Sequence, residues 1–397
     1  MKINKNIINY GRHYLDNEDL LTVKKILKSN FITQGPTIEK FEKKFAKKVG
    51  SKEALVCSNG TAALHLALMS INLKEGDCVI IPAITFLSAA NVAKYLKVKI
   101  IFTDVNEQSG LVEPGNLLET IYKCKKRNIL KKVKAFIPVH LNGQCSDLKT
   151  IHHICKKYKI KIIEDSCHAL GTKYKPLGSK KEYQIGDCIF SDISTFSFHP
   201  VKTITTGEGG ALTFNDKKKK IFLEKIRSHG IEKSNKFFNY QVNKLGFNYR
   251  LSDLNCALGL SQLKKLDSFV KKRKILVDYY KKRISHLKPY IKAIKSYEFC
   301  LPAWHLFVVL IDFKKIKINK IVFAKKLLNA GIGSQVHYVP LVFQPLYKKE
   351  IKVSNYSGAK EYYKKTLTLP LSVQMTFRDV DYIVKNIKKI IRENIKK

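Results

Sequence analysis

From residue 54 to residue 214 the chain alternates short, nearly unbroken apolar runs with stretches of helical spacing, and this alternation limits the folds open to it. Strand-like runs fall at Ala54–Ser58, Cys78–Pro82, Lys99–Val105, Lys134–Leu141, Lys161–Asp165, Ile193–Phe198 and Ala211–Phe214. Helical spacing fills Thr61–Ile71, Ser88–Leu96, Asn116–Lys126 and Leu148–Tyr158 between them. Strands that are apolar on both faces need cover on both faces. The pattern therefore predicts an α/β fold with a mostly parallel sheet between helices. Ligands of such sheets bind beyond the carboxyl ends of the strands, so the loops that follow these runs are where chemistry is expected.

After Leu251 helical spacing runs on through Leu287. A strand is expected at Ala303–Phe313, a helix near Lys320–Ala330, an extended run at Ser334–Val339 and a basic helix from Val380. The isoleucines of that last helix recur at helical spacing and are expected to pack on the domain that carries them. The chain thus divides into a large domain, residues 1–265, and a smaller C-terminal α+β domain, residues 266–397. The boundary lies along a helix, with no Pro/Gly/Ser linker.

Composition narrows the functional classes. At 397 residues, 45% hydrophobic and 27% charged, the chain suits two or three globular domains and neither a disordered nor a fibrous protein. It has no apolar run of membrane-spanning length and no apolar signal core at its start, so a cytoplasmic protein without membrane association is expected. The formal net charge is +42, but the lysines are scattered as pairs along helix faces. Without a concentrated basic stripe or a helix-turn-helix, nucleic acid is not the expected partner; anionic small molecules are. The nine cysteines are odd in number and none stands in a C-x-x-C spacing, which predicts reduced, buried thiols and no zinc site.

The most informative segment runs from Thr195 to Gly210. Lys202 follows a strand within an apolar, glycine-flanked turn, and desolvation there lowers an amine's pKa and makes it a nucleophile toward aldehydes. Taken singly, on composition alone, it reads as one more surface lysine. Asp165 ends a buried apolar strand, where it can cap the next turn or pair with a protonated pyridine nitrogen. Ser58-Asn59-Gly60-Thr61-Ala62 lies where a strand turns into a helix, suited to a phosphate dianion or to an ordinary cap by Asn59 or Thr61. Phe86 offers a face for a flat ring, or is core. Together, lysine, carboxylate, phosphate turn and aromatic platform describe a pocket for pyridoxal 5'-phosphate.

These segments, with Tyr10-Gly11-Arg12, Phe31–Pro36, Pro138–Gln144, His168–Gly171, Gly246–Arg250 and His337–Pro340, resemble the DegT/DnrJ/EryC1/StrS family of sugar aminotransferases. The likeness covers nearly the whole chain and is closer to the UDP-sugar 4-aminotransferases of bacterial pseudaminic acid synthesis. It implies a fold-type I PLP-dependent transferase with a seven-stranded sheet. It implies that Lys202 forms the Schiff base, Asp165 pairs with the pyridine nitrogen, Phe86 stacks on the ring and His168 lies beside it. The Thr61 and Ala62 N–H groups and the Ser197 hydroxyl would hold the phosphate. Asn248 would reach the cofactor of a partner subunit in a homodimer. Tyr10, Thr33, Gln34, His337 and Tyr338 match regions that contact the nucleotide sugar. The implied reaction moves an amino group from L-glutamate to C4 of a UDP-linked 4-keto-6-deoxy-N-acetylhexosamine; another nucleotide-linked keto sugar is the alternative. Dehydratases that share this fold carry His at the lysine position, and Lys202 argues against them. Asn59, Leu141-Asn142 and Phe247 depart from the commoner family residues and leave sugar selectivity open.

Overall fold

The computed structural model describes residues 7–233, 239–348 and 353–395. Its centre is a seven-stranded sheet of β1 (Glu53–Cys57), β2 (Cys78–Pro82), β3 (Lys99–Thr103), β4 (Val133–Phe136), β5 (Lys161–Asp165), β6 (Ile193–Ser197) and β7 (Gly210–Phe214), in the order β1-β7-β6-β5-β4-β2-β3. Pairings among β2, β3, β4, β5 and β6 are parallel. Only β7 runs against its neighbours, β1 and β6. Every residue of β2 and β7 is buried, as two-sided cover requires.

Register fixes what meets at the carboxyl ends. Gly210 pairs with Cys57 on one side and Ser197 on the other. The turn after β1 therefore stands next to the end of β6. A Cβ on residue 210 would lie 2.4 Å from the Asn59 carbonyl oxygen, so this approach requires glycine. Asp165 pairs with Thr195, which sets the acid beside the same strand end.

The helical spacing that follows Leu251 forms one 32-residue helix, Asp253–Ile284. Ser252 caps it by accepting from Asn255 N. It leads to a second sheet of β8 (Ile291–Ala293), β9 (Phe307–Ile311) and β10 (Thr366–Leu369), in that order and antiparallel. The terminal helix Phe377–Ile395 buries Val380, Ile383, Val384, Ile387, Ile390 and Ile391, and packs against the long helix and the helix Lys320–Asn329. All nine cysteines are free thiols, and eight of them are buried. No helix of the described residues is long and apolar enough to cross a membrane.

Two expected strands are shorter than their apolar runs. β4 stops at Phe136 because Pro138 has no N–H for the ladder; Ile137 N still donates to the Ile80 carbonyl and Val139 bridges Asp165, and the chain turns only at Leu141–Gly143. The run Ala303–Phe313 pairs only over Phe307–Ile311, because Ala303 N donates to Thr172 Oγ1 and His305 N to the Asn142 carbonyl. Ser334–Val339, expected to be extended, bends at His337 and joins a ladder only through the bridge of Gln335 to Thr368.

Candidate active site

The carboxyl ends of β1, β5 and β6 open onto a cavity of about 540 Å³, within the range of small-molecule sites. Asn59 leaves β1 extended and caps the helix Gly60–Met69, its Oδ1 accepting from Ala62 N at 2.8 Å. The Gly60 and Thr61 N–H groups stand in the first turn, where a helix offers no acceptor of its own, and both residues line the cavity. A Cβ on Gly60 would come within 2.8 Å of the Ser197 Cβ. Glycine thus leaves a cradle between the helix start and the Ser197 hydroxyl, of the kind a phosphate fills. Ala62 does not line the cavity, and its N–H is committed to the Asn59 cap, so the cradle differs there from the expectation.

Asp165 is buried at the end of β5 and lines the cavity. Its Oδ1 accepts from Cys167 N at 3.1 Å. Lys202 follows β6 in a turn closed by its N–H donating to the His199 carbonyl at 2.8 Å. Burial holds its amine below the ordinary lysine pKa, while nearby Cys167 and Asp165 work in the opposite direction. Phe86, 49% exposed, forms part of the cavity wall, with its ring centroid 5.7 Å from that of Tyr338.

Histidines build the remaining wall. The rings of His168 and His305 lie 4.4 Å apart, and His337 lies 6.3 Å from His168. Burial, then the positive charge of Lys202, keeps His168 well below its ordinary pKa and brings His337 down to about 3. Burial also dominates at His305. Three neutral imidazoles therefore face the cavity together with Tyr10 and Tyr338. A donor-rich wall that keeps its own charge low suits a polar, uncharged group such as a sugar.

Of the residues named from the sequence, Tyr10, Thr61, Phe86, Asp165, His168, Ser197, Lys202, His337 and Tyr338 line this one cavity. Ala62, Thr33, Gln34 and Asn248 do not; Thr33, Gln34 and Asn248 are exposed elsewhere on the chain. Asn248 is bridged to Ser228 at the foot of the hairpin Ile231–Lys233/Tyr240–Val242. His305 was not anticipated as a cavity residue. Its only local signal is a histidine inside an apolar run, and that reads as core.

The residues present fit pyridoxal phosphate: a glycine-shaped anion cradle, a buried carboxylate and a lysine of lowered pKa share one cavity. A profile of the DegT/DnrJ/EryC1/StrS aminotransferase family matches residues 13–388. The chain belongs to that family. Three relatives fill in the likeness. The UDP-4-amino-4,6-dideoxy-N-acetyl-beta-L-altrosamine transaminase of Campylobacter jejuni strain 81-176 is 34% identical, over 98% of this chain and 99% of its own. The Helicobacter pylori aminotransferase PseC, involved in the biosynthesis of pseudoaminic acid, superposes with a TM-score of 0.88 at 28% identity, over 98% of this chain and 100% of its own. A Streptococcus pneumoniae sugar aminotransferase solved in its PLP form gives 0.86 at 25% identity, over 98% and 99%. This member of the family is a PLP-dependent sugar aminotransferase of the fold-type I class, and pyridoxal phosphate is its cofactor.

Proposed function

We propose that this aminotransferase moves an amino group from L-glutamate to C4 of a UDP-linked 4-keto-6-deoxy-N-acetylhexosamine, in two half-reactions, in the cytoplasm. The reading rests on one observation above all: Lys202, Asp165, Ser197, Thr61 and Phe86 line the same cavity. The substrate is carried over from the Campylobacter transaminase, which covers this chain almost end to end.

Pyridoxal phosphate, when bound, supplies an aldehyde that accepts and returns the amino group and a ring that draws electrons from the reacting carbon. Ser197 and the Gly60 and Thr61 N–H groups would hold its phosphate, and Phe86 would cover its ring. Asp165 would keep a proton on the ring nitrogen. The Lys202 amine, of lowered pKa, would hold the aldehyde between turnovers and act as base and acid at the carbon that gains or loses a proton. Tyr10, His337 and Tyr338 would receive the sugar, while the positive chain as a whole favours capture of its diphosphate. Asn248 is exposed and does not line its own chain's cavity, and it would complete that of a second copy, making the homodimer the active form. The large domain would carry the cofactor and the domain from residue 266 would close over the sugar.

The test is to load the enzyme with the amino form of the cofactor and offer 4-keto and 3-keto sugar nucleotides one at a time. Return of the aldehyde absorbance with the UDP-linked 4-keto-6-deoxy-N-acetylhexosamine alone is the expected result. Return only with a 3-keto sugar, or with a different 4-keto sugar, would replace the substrate and leave the reaction class standing.

A further inference from the structure

Arg273 sits within the helix Asp253–Ile284 and is 2% exposed. No carboxylate among the described residues pairs with it, and its Nε has no acceptor. Burial alone lowers its pKa to about 10. A buried guanidinium without a counter-ion is costly, so its retention calls for a physical account.

Its bonds supply one. Nη1 donates to the carbonyl of His305 at 3.0 Å and to that of Leu371 at 3.2 Å. From His305 the connections run to one wall of the cavity: His305 N donates to the Asn142 carbonyl at 3.2 Å, and Asn142 N donates to His168 Nδ1 at 3.4 Å. From Leu371 they run to another wall: Leu371 N donates to the Tyr10 carbonyl at 3.1 Å, and the Tyr10 ring lies 5.5 Å from that of His337. Tyr10, His168, His305 and His337 all line the cavity, whereas Arg273 does not.

We infer that Arg273 is a positioning residue, a buried brace that ties the Tyr10 wall to the His168–His305 wall and so sets the width of the space that receives the nucleotide sugar. The inference rests on the substrate reading above only for what enters that space. Both carbonyls converge on one guanidinium nitrogen, whose two N–H bonds are held in the guanidinium plane, and that plane fixes the angle between the chains that carry them. Lysine at this position brings a rotatable point charge without that fixed plane. Methionine leaves both carbonyls without their donor but removes the uncompensated charge, an exchange that buried ion sites often tolerate in stability.

The experiment compares the full-length holoenzyme with Arg273→Met and Arg273→Lys. Amide hydrogen exchange is expected to quicken at His305 and Leu371 in Arg273→Met, with the β5 and β6 amides unchanged. Sugar-nucleotide KM should rise about tenfold or more, while the glutamate half-reaction stays within about twofold. Arg273→Lys should recover little of the KM, and it carries the measurement if the Met variant does not fold. Unchanged exchange at both amides overturns the brace. So does a loss shared equally by both half-reactions, or recovery of the full KM by lysine. Quickened exchange at the two amides in an enzyme that does not aminate the UDP-linked 4-keto-6-deoxy-N-acetylhexosamine keeps the brace and rejects the substrate reading instead.

Discussion

His168 Nε2 lies 3.2 Å from the hydroxyl of Tyr338, and its Nδ1 accepts from the backbone N–H of Asn142 at 3.4 Å. A backbone N–H can only donate, so Nδ1 carries no proton. In a neutral imidazole the proton then sits on Nε2, which donates to the Tyr338 oxygen. The hydrogen of the Tyr338 hydroxyl is left to donate elsewhere, and Tyr338 lines the cavity. Burial keeps that phenol protonated by raising its pKa well above the ordinary value.

The first prediction concerns that tautomer. Nitrogen spectra of histidine-labelled protein at neutral pH should show His168 with one bare and one protonated nitrogen, assigned as Nδ1 and Nε2. Two protonated nitrogens, or the reverse assignment, would contradict the arrangement. Replacing Tyr338 by Phe should leave the protein folded and lower sugar amination by about tenfold to a hundredfold, as the loss of one hydrogen bond worth about 1–3 kcal/mol requires.

The second prediction separates the lysine from the carboxylate. Borohydride reduction of the holoenzyme should fix the cofactor to the peptide that contains Lys202, and Lys202→Ala should show no turnover. Label found on another lysine removes the assignment. Asp165→Asn should still bind cofactor through the Gly60–Ser197 cradle yet lose about a hundredfold or more in rate, near 3 kcal/mol of transition-state stabilisation. Near-normal rates in that variant would deny the carboxylate its role.

The strand ends were legible because the chemistry there is written locally: an acid closing an apolar run at Asp165, and a lysine in a glycine-flanked turn at Lys202. The anion cradle was legible in outline, but local sequence left Asn59 and Thr61 equivalent as caps. The tertiary position of β7 decides for Asn59, because Gly210 packs on its carbonyl. His305 was hidden in an apolar run that reads as strand throughout. Its first residues leave the ladder only because Thr172 and Asn142, far away in sequence, compete for their N–H groups. Arg273 was hidden among the lysines of its helix. Helical spacing shows which face a residue occupies, but not that two carbonyls from later in the chain converge there.

The third prediction is a pH dependence of stability. His337 has a folded pKa of about 3, against 6.5 when free, because burial and the Lys202 charge oppose its protonation. Below pH 6.5 the unfolded chain takes up a proton that the folded chain refuses, so stability falls as pH drops. The slope for this one group is about 1.4 kcal/mol per pH unit at most, down to about pH 3. His168 and His305, also pressed well below their ordinary values by burial, act in the same direction. Denaturant midpoints taken between pH 7 and pH 4 should fall, and fall less steeply in His337→Asn. An identical slope in both proteins would mean that His337 takes no part.

The fourth prediction tests whether cavities are shared between subunits. Lys202 and Asp165 line the chain's own cavity, while Asn248 is exposed and lines none of it. If Asn248 serves the neighbouring copy, Lys202→Ala and Asn248→Ala are each defective as homodimers. In a hybrid of the two, one site receives both lesions. The other pairs the intact lysine of one subunit with the intact asparagine of its partner and is whole. Unfolding the two variants together and refolding them should therefore restore activity well above that of either alone. If Asn248 serves its own subunit, every site in every hybrid carries one lesion and mixing restores nothing. Sedimentation of the mixture confirms that hybrids formed, so a failure to recover activity then counts directly against the shared site.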